Sequence, residues 1–254
     1  MLTLTVEFGY TQGWPLTDFN TVISIAFGYV FITMIATGVM KAGVPALDPW
    51  PLKFFYNISQ IFACAYFSIE AFMIAYRNSY SFACNNYDQE NPAVANLMWL
   101  FYVSKIWDFW DTVFIVLGKK WKQLSFLHVY HHFSVLLICW IQLNFLYDGD
   151  IYLFIMLNAF IHTVMYTYYF ICMHTKKPET GKSLPIWWKS SLTIMQMIQF
   201  ITLMGSGVYT YMNECEGNND RVSSLCVWYT ASLLLLFAVF FVGSYAKKSK
   251  RKKD

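Results

Sequence analysis

Seven apolar stretches of about 20 residues run through this 254-residue chain, and they constrain its fold more than any other feature. The apolar core of a bilayer is about 30 Å thick, and a helix of about 20 residues crosses it. The stretches cover residues 22–40, 54–76, 95–117, 125–147, 150–174, 187–212 and 223–245. The sequence therefore predicts an all-α, polytopic membrane protein with seven transmembrane helices. It predicts a single transmembrane domain over residues 1–246 and a basic tail at 247–254.

The composition agrees with a membrane location. Hydrophobic residues make up 57% of the chain and charged residues 13%, whereas soluble proteins average about 45–50% and about 25%. So few charges cannot cover the surface of a soluble globule of this size. Together with a net charge of only +3, this composition excludes a nucleic-acid binder and a disordered chain.

The charged residues between the stretches separate by sign. Most of the 18 lysines and arginines fall on one side of the seven-span arrangement, the side that carries the tail, and most acidic residues fall on the other. The positive-inside rule then predicts a cytosolic C-terminus and a lumenal N-terminus. The tail ends in Arg251-Lys252-Lys253-Asp254, which is close to a dilysine retrieval signal and indicates the endoplasmic reticulum membrane.

Two of the six cysteines lie in connections predicted to be lumenal. Cys84 follows the second stretch and Cys215 follows the sixth. An oxidising lumen permits a disulfide between them. A pair of free thiols is the alternative, and the sequence leaves both open.

Ionisable side chains lie inside the third stretch, although each costs about 2.5–3.5 kcal/mol to insert at mid-bilayer. Lys105, Asp108 and Thr112 are spaced i, i+3, i+7 and share one helical face. Asp111 lies three residues after Asp108. The pattern is typical of a buried ion pair that joins helices, or of a polar functional site.

Histidines at the start of the fourth stretch favour the functional site. His128, His131 and His132 are spaced i, i+3, i+4, so the three imidazoles share a face near the predicted cytosolic end. A lone histidine is usually a packing residue, but a cluster within five residues of an apolar span is not. Two further polar stripes follow in the fifth and sixth stretches: Asn158, His162, Tyr166 and Tyr169, and Gln196 and Gln199.

A histidine-centred cavity inside an apolar bundle allows several chemistries. Neutral imidazole serves as a nucleophile or a general base. A di-iron site of the desaturase type needs more histidines than the five in this chain. A zinc-dependent intramembrane lipid hydrolase, with histidine ligands and a carboxylate from Asp108 or Asp111, stays open as the second alternative. A receptor or transporter would not need the cluster.

In four elements the sequence resembles the very-long-chain fatty-acid elongases, the ELO family of 3-oxoacyl-CoA synthases. Lys105-x-x-Asp108-x-x-Asp111-Thr112 is similar to the family's Lys-x-x-Glu-x-x-Asp-Thr motif, with Asp108 where Glu is common. The other three elements are His128-x-x-His131-His132, Asn158-x-x-x-His162-x-x-Met165-Tyr166-x-Tyr168-Tyr169, and Gln196-x-x-Gln199. Residues 147–200 are most similar to algal and stramenopile elongases of C18 polyunsaturated substrates.

The resemblance implies the first step of fatty-acid elongation. Malonyl-CoA condenses with a long-chain acyl-CoA, most specifically a C18 polyunsaturated one, to give 3-oxoacyl-CoA, CO2 and CoA. The implied fold is an inverted barrel of six helices around a tunnel, with a seventh helix alongside, a cytosolic mouth and a closed lumenal end. The resemblance implies no cofactor and no metal. Its implied partners are membrane lipid and the reductases and dehydratase of the cycle, and a homodimer is left open.

The resemblance also implies roles for the polar residues. His131 would attack the acyl thioester, and His162 and His128 would orient groups or stabilise the enolate oxygen. His132 is expected to belong to the same catalytic set. Asp111 or Asp108 would hold a histidine tautomer, as the carboxylate does in a triad. A mechanism in which histidine acts only as a base in a ternary complex is the alternative. The expected substrate-binding residues are Lys105, Thr112, Asn158, Tyr166, Tyr169, Gln196, Gln199, Lys182 and Lys189.

Chain length depends on the residues that close the lumenal end of the tunnel. The bulky residues Met204, Tyr209 and Tyr211 in the sixth stretch are the sequence candidates for this stop.

Overall fold

The computed structural model describes residues 10–85, 87–88, 90–175, 188–215 and 219–246. Within these ranges all regular structure is helical, and the last helix continues into a π-helical turn at Val242–Ala246. The helices are α1 (Phe19–Lys41), α2 (Trp50–Arg77), α3 (Ala95–Trp107), α4 (Phe109–Leu117), α5 (Phe126–Phe145), α6 (Ile151–His174), α7 (Lys189–Met212) and α8 (Asp220–Phe241). The basic tail 247–254 lies outside the described residues.

Six of the described helices, α1, α2, α5, α6, α7 and α8, are long and apolar enough to cross a membrane. The third predicted span is two helices, because α3 ends at Trp107 and α4 begins at Phe109. Asp108 between them keeps helical dihedral angles, φ −62° and ψ −16°, while the Asp111 N–H bonds to the Asp108 carbonyl, only three residues back. This tighter turn interrupts the helix without ending its course. The protein is therefore an all-helical, polytopic membrane protein, and its third span is a broken helix.

The helix neighbours close a ring. α2 packs on α6, α6 on α7, α7 on α8, α8 on α5, α5 on α3, and α3 on α2. α1 lies outside the ring against α5 and α4. This is the six-helix barrel with one additional helix that the resemblance implies.

Polar and apolar contacts occupy different halves of the barrel. The main apolar core joins the C-terminal halves of α2 and α5 to the N-terminal halves of α3 and α6, with Phe101, Tyr102, Leu136 and Ile155 almost fully buried. Among the buried polar side chains, Thr112 and His132 lie in the opposite halves of their spans, Lys105, Asp108 and His162 lie near mid-span, and Asn158 lies in the N-terminal half of α6. Apolar packing therefore supports one half of the barrel, and a polar site begins at mid-span.

The two ends of the barrel differ in charge. The end where α1, α4 and α6 finish and α2 and α5 start carries Lys41, Lys53 and Lys119, and we call it the basic end. There the Ser125 hydroxyl accepts the His128 N–H and caps α5, which fixes the first turn of the histidine helix. The opposite end carries Asp148 and other carboxylates, and we call it the acidic end.

Two carboxylates hold the connection after α2 over the acidic end. Asp148 accepts the Val94 N–H at 3.2 Å and the Tyr80 hydroxyl at 3.3 Å. Asp150 accepts the Cys84 N–H at 3.0 Å and the Thr210 hydroxyl at 2.9 Å. Burial, reinforced by the Asp148 carboxylate, raises the pKa of Tyr80, so the phenol keeps the proton that it donates.

A disulfide ties the same connection to α7. It joins Cys84 to Cys215, whose Cα atoms are 5.2 Å apart, across 131 residues of sequence. The acidic end is therefore closed by hydrogen bonds and by one covalent link. We call this closure, residues 80–85 and 147–150 with Cys215, the acidic cap.

Candidate active site

The structure gathers four histidines in the polar half of the barrel. His128, His131 and His132 lie on the first turns of α5, and His162 faces them from α6. The ring centroids of His128 and His132 are 4.5 Å apart, and those of His131 and His132 are 5.4 Å apart. The His131 and His162 rings face each other at 6.5 Å with an interplanar angle of 25°.

Several polar atoms of this cluster lack partners within the described part of the chain. His132 and His162 are 7% and 8% exposed, and each has a buried Nδ1 atom with no hydrogen bond. The Oδ1 atom of buried Asn158 is also unpaired. An unmet buried polar group costs about 1–3 kcal/mol, so water or a polar ligand group is expected to complete these bonds.

The His128 ring is fixed by a chain of hydroxyls. His128 Nε2 lies 2.8 Å from the Thr112 hydroxyl, which lies 3.0 Å from the Tyr29 hydroxyl. Tyr29 belongs to α1, and its ring stacks on Phe109 at 4.2 Å. The helix outside the ring therefore contributes to the site. Sequence reasoning missed Tyr29, because one tyrosine in an apolar span carries no distinguishing pattern.

Asp108 is buried in an ion pair with a neighbouring lysine. Lys105 Nζ lies 3.3 Å from Asp108 Oδ2, and the side chains are 3% and 5% exposed. The Gln60 amide donates to Asp108 Oδ1 at 2.6 Å, and Lys105 also lies over the Phe101 ring at 4.0 Å. Gln60, at 1% exposure, is a second polar residue that sequence reasoning missed.

Asp111 is bonded to a tyrosine. The Tyr166 hydroxyl donates to Asp111 Oδ2 at 2.8 Å, and the Gln60 amide donates to the Tyr166 hydroxyl at 3.0 Å. The Tyr56 hydroxyl lies 3.3 Å from that of Tyr166 and completes the cluster. Gln60 thereby joins both carboxylates into one network.

Within the described residues neither carboxylate bonds to a histidine. The structure therefore does not place Asp108 or Asp111 in the expected tautomer-holding position. The physical reason is that Asp111 and Thr112 are adjacent on α4 and point about 100° apart, so Thr112 faces α5 while Asp111 faces α6. A hydroxyl takes the contact with His128.

The remaining expected residues are less closely connected. Tyr169 is 40% exposed and meets Tyr166 only through its ring edge, at 5.9 Å. Gln199 on α7 is buried and Gln196 partly buried, but no hydrogen bond between described residues joins them to the histidines. Lys182 and the side chain of Lys189 lie outside the described part of the structure.

Metal binding has no support in this geometry. Among the described residues, no group of three or more His, Cys, Asp or Glu side chains is placed to hold a metal ion. Nothing in the described chain therefore favours the zinc-hydrolase alternative.

A cavity of about 120 Å³ lies beside the acidic cap. Ile138 and Gln142 of α5 and Leu146 just after it line one side, and Asp148, Asp150 and Cys215 of the acidic cap line its acidic end. His131, Ile138 and Gln142 are spaced i, i+7, i+11, so they share one face of α5. The histidine cluster and the cavity are therefore aligned along the same helix.

The sequence candidates for the closed end lie elsewhere. Tyr209 and Tyr211 are 53% and 56% exposed, and Met204 does not line the cavity. α7 instead lines it with Leu203, Ser206, Gly207 and Thr210. The rotation of α7, which the sequence does not specify, turns both tyrosines outward.

Fold and site together define a multi-pass helical membrane protein with a polar, histidine-rich site inside its barrel. The chain belongs to the ELO family: the family described as GNS1/SUR4 matches residues 14–253. It is 32% identical over 245 residues to very long chain fatty acid elongase 2 of Mus musculus, covering 95% of this chain and 82% of that protein. It is 30% identical over 249 residues to elongase 4 of Homo sapiens, covering 95% and 76%. It is 31% identical over 251 residues to elongase 5 of Xenopus tropicalis, covering 96% and 82%.

Proposed function

We propose that the protein is an enzyme of fatty-acid elongation that condenses malonyl-CoA with a long-chain acyl-CoA. The products are 3-oxoacyl-CoA, CO2 and CoA. The observation that carries the proposal is the opposed pair of His131 and His162 inside an apolar bundle. Further along the same face of α5, Ile138 and Gln142 line a cavity toward the acidic end, where we propose that the acyl chain lies. Membership of the ELO family supports elongation in general.

His131 is the proposed nucleophile. Its ring is partly exposed, and no hydrogen bond from the described residues restrains it, whereas His128 is held by Thr112 and His132 is buried. An imidazole nitrogen attacks the acyl carbonyl carbon, the C–S bond breaks, and CoA leaves as a thiolate that takes up the proton lost from the imidazole ring. The acyl group is then held on His131 as an acyl-imidazole.

Malonyl-CoA supplies the second half of the reaction. Its bond to the terminal carboxylate breaks, CO2 leaves, and the electron pair stays on the α-carbon as an enolate. That carbon attacks the acyl-imidazole carbonyl, the C–N bond breaks, and the departing ring nitrogen takes up a proton from solvent, which returns His131 to its neutral state. The alternative remains a ternary complex in which a histidine acts only as a base.

The unpaired polar atoms of the site fit the charge that develops. Nδ1 of His132 and of His162 are buried and unpartnered among the described residues. When protonated, each can donate to the enolate oxygen or the thioester carbonyl. Gln60, Asp108 and Asp111 belong to one hydrogen-bonded network beside the histidines. In the proposal these three residues position the site and do not touch the reacting atoms.

The proposal extends to the setting of the enzyme. The basic end would face the cytosol in the endoplasmic reticulum membrane, with the N-terminus lumenal and the C-terminus cytosolic. Acyl-CoA and malonyl-CoA would enter there, where Lys182 and Lys189 can pair with CoA phosphates. The proposed chain is C18 and polyunsaturated, and the proposed partners are membrane lipid and the reductases and dehydratase of the cycle.

The test uses membranes that contain the full chain, supplied with labelled malonyl-CoA and C16 to C22 acyl-CoAs without NADPH. The expected product is labelled 3-oxoacyl-CoA, and His131→Ala is expected to abolish it. His174→Ala is the matched control, because His174 is exposed and its ring bonds only to the Phe170 carbonyl among the described residues. Equal activity of His131→Ala and the wild type would refute the proposed nucleophile.

A further inference from the structure

A buried amide with an unmet hydrogen bond faces the cavity. Gln142 is 5% exposed, and its Oε1 atom has no partner among the described residues. Its Nε2 atom has one contact, with the weakly accepting Cys226 sulfur at 3.5 Å. Turning the amide over exchanges its oxygen and nitrogen and leaves the other end without a partner. In either orientation Gln142 presents an unsatisfied polar group.

Other polar side chains of the cavity wall have hydrogen-bond partners within the protein. The Thr230 hydroxyl donates to the Cys226 carbonyl, and the Ser206 hydroxyl donates to the Phe82 carbonyl. The Thr210 hydroxyl bonds to the Asp150 carboxylate. Around Gln142 the wall also contains Ile138, Leu153, Phe154 and Leu203. Gln142 is therefore an amide with an unmet hydrogen bond in a cavity wall that contains both polar and apolar side chains.

The distance from the proposed nucleophile sets which part of a chain Gln142 would meet. Gln142 follows His131 by 11 residues on the same face of α5, which is about 16 Å along the helix. An extended tetrahedral chain advances about 1.2 Å per bond, as the reach of an extended polypeptide shows. A chain held at His131 therefore passes Gln142 about 13 bonds from its carbonyl carbon.

We propose that Gln142 is a specificity-determining residue that favours acyl chains with a double bond about 13 carbons from the carbonyl. The inference rests on the proposed condensation and names the chain chemistry that its cavity selects. A saturated segment displaces water from the amide and supplies no hydrogen-bonding group in its place, so the amide stays unsatisfied. The π electrons of a double bond accept a weak hydrogen bond from the amide N–H. The wall therefore discriminates mainly against the saturated chain.

The test compares Gln142→Leu with the wild type and with Gln12→Leu. Leucine has nearly the shape of glutamine without its amide, and Gln12 makes the same substitution available at an exposed position. Membranes receive labelled malonyl-CoA and pairs of competing C18 acyl-CoAs. The chains are saturated, or carry one cis double bond near carbon 6 or near carbon 13. The measured quantity is the ratio of kcat/KM values from the labelled 3-oxoacyl-CoA products.

We expect the wild type and Gln12→Leu to prefer the chain unsaturated near carbon 13 over the saturated chain by about threefold or more. Gln142→Leu is expected to bring this ratio close to one, mainly by raising use of the saturated chain. The ratio for the double bond near carbon 6 is expected to stay unchanged in both variants.

Labelled product with the same ratios in Gln142→Leu and the wild type would overturn this inference alone. So would a wild type that uses both double-bond positions equally well. Wild-type membranes that release no labelled 3-oxoacyl-CoA from any chain would overturn the proposed condensation and, with it, this inference.

Discussion

The pair of Lys105 and Asp108 offers the most direct test of how the site is held together. Both side chains are almost completely buried, at 3% and 5% exposure, and their charged atoms are 3.3 Å apart. Replacing Lys105 by Met removes the cation and leaves the Asp108 carboxylate with the Gln60 amide as its described partner. Breaking a buried pair in this way costs about 3–5 kcal/mol, because the remaining charge is buried without compensation. Because the Gln60 amide still donates a hydrogen bond to the carboxylate, we expect the loss of stability to be about 3 kcal/mol.

A double-mutant cycle gives the magnitude. Lys105→Met and Asp108→Asn are each expected to lower the free energy of unfolding by about 3 kcal/mol. The double variant holds no buried charge at this position, so its loss is expected to be smaller than the sum of the two by about 2 kcal/mol or more. The assay is reversible denaturation of the purified protein in mild detergent, monitored by its helical signal.

The exposed pair of Arg77 and Glu70 supplies the control. Its atoms are 3.5 Å apart and its side chains are 60% and 31% exposed, so Arg77→Met is expected to change stability by less than about 1 kcal/mol. Additive losses in the Lys105 and Asp108 cycle, or a Lys105→Met variant as stable as the wild type, would refute the buried-pair argument.

Two further predictions concern the attachment of α1 and the acidic cap. Tyr29→Phe removes the hydroxyl next to Thr112, so we expect condensing kcat/KM to fall about fivefold with little change in stability, the effect of one hydrogen bond of about 1 kcal/mol. Cys84→Ser removes the disulfide, so we expect a loss of about 2–4 kcal/mol in the free energy of unfolding, and a lower Tm in the absence of reductant.

Each of these predictions has its own control. Tyr76→Phe, at a tyrosine that is 74% exposed, is expected to leave kcat/KM unchanged, and an equal fall in both variants would contradict the role of Tyr29. Cys172→Ser, which leaves the bridge between Cys84 and Cys215 intact, is expected to leave the Tm unchanged. Reductant should lower the Tm of the wild type to that of Cys84→Ser, and a wild type insensitive to reductant would argue against the stabilising bridge.

Local sequence patterns located the helices of this protein and the histidines of its site. Apolar runs long enough to cross a bilayer locate the helices without reference to partners, since the bilayer obliges each run to satisfy its own backbone hydrogen bonds. The break at Asp108 was the exception, because the third span carries no Pro or Gly to announce it. Histidines at helical spacing likewise indicated one shared face, and the structure assembles that face with His162.

Tertiary structure alone decided which partner each polar group received. Thr112 meets His128 and Asp111 meets Tyr166 because α4 packs with these two neighbouring residues turned toward different helices, a packing that no motif encodes. Tyr29, Gln60 and Gln142 stayed unrecognised for a related reason, since a single polar residue in an apolar span is expected to be packing. Tyr209 and Tyr211 were expected inside, yet they are exposed. Hydropathy specifies that a helix lies in the membrane, whereas the helix's rotation is set only by the neighbours against which it packs.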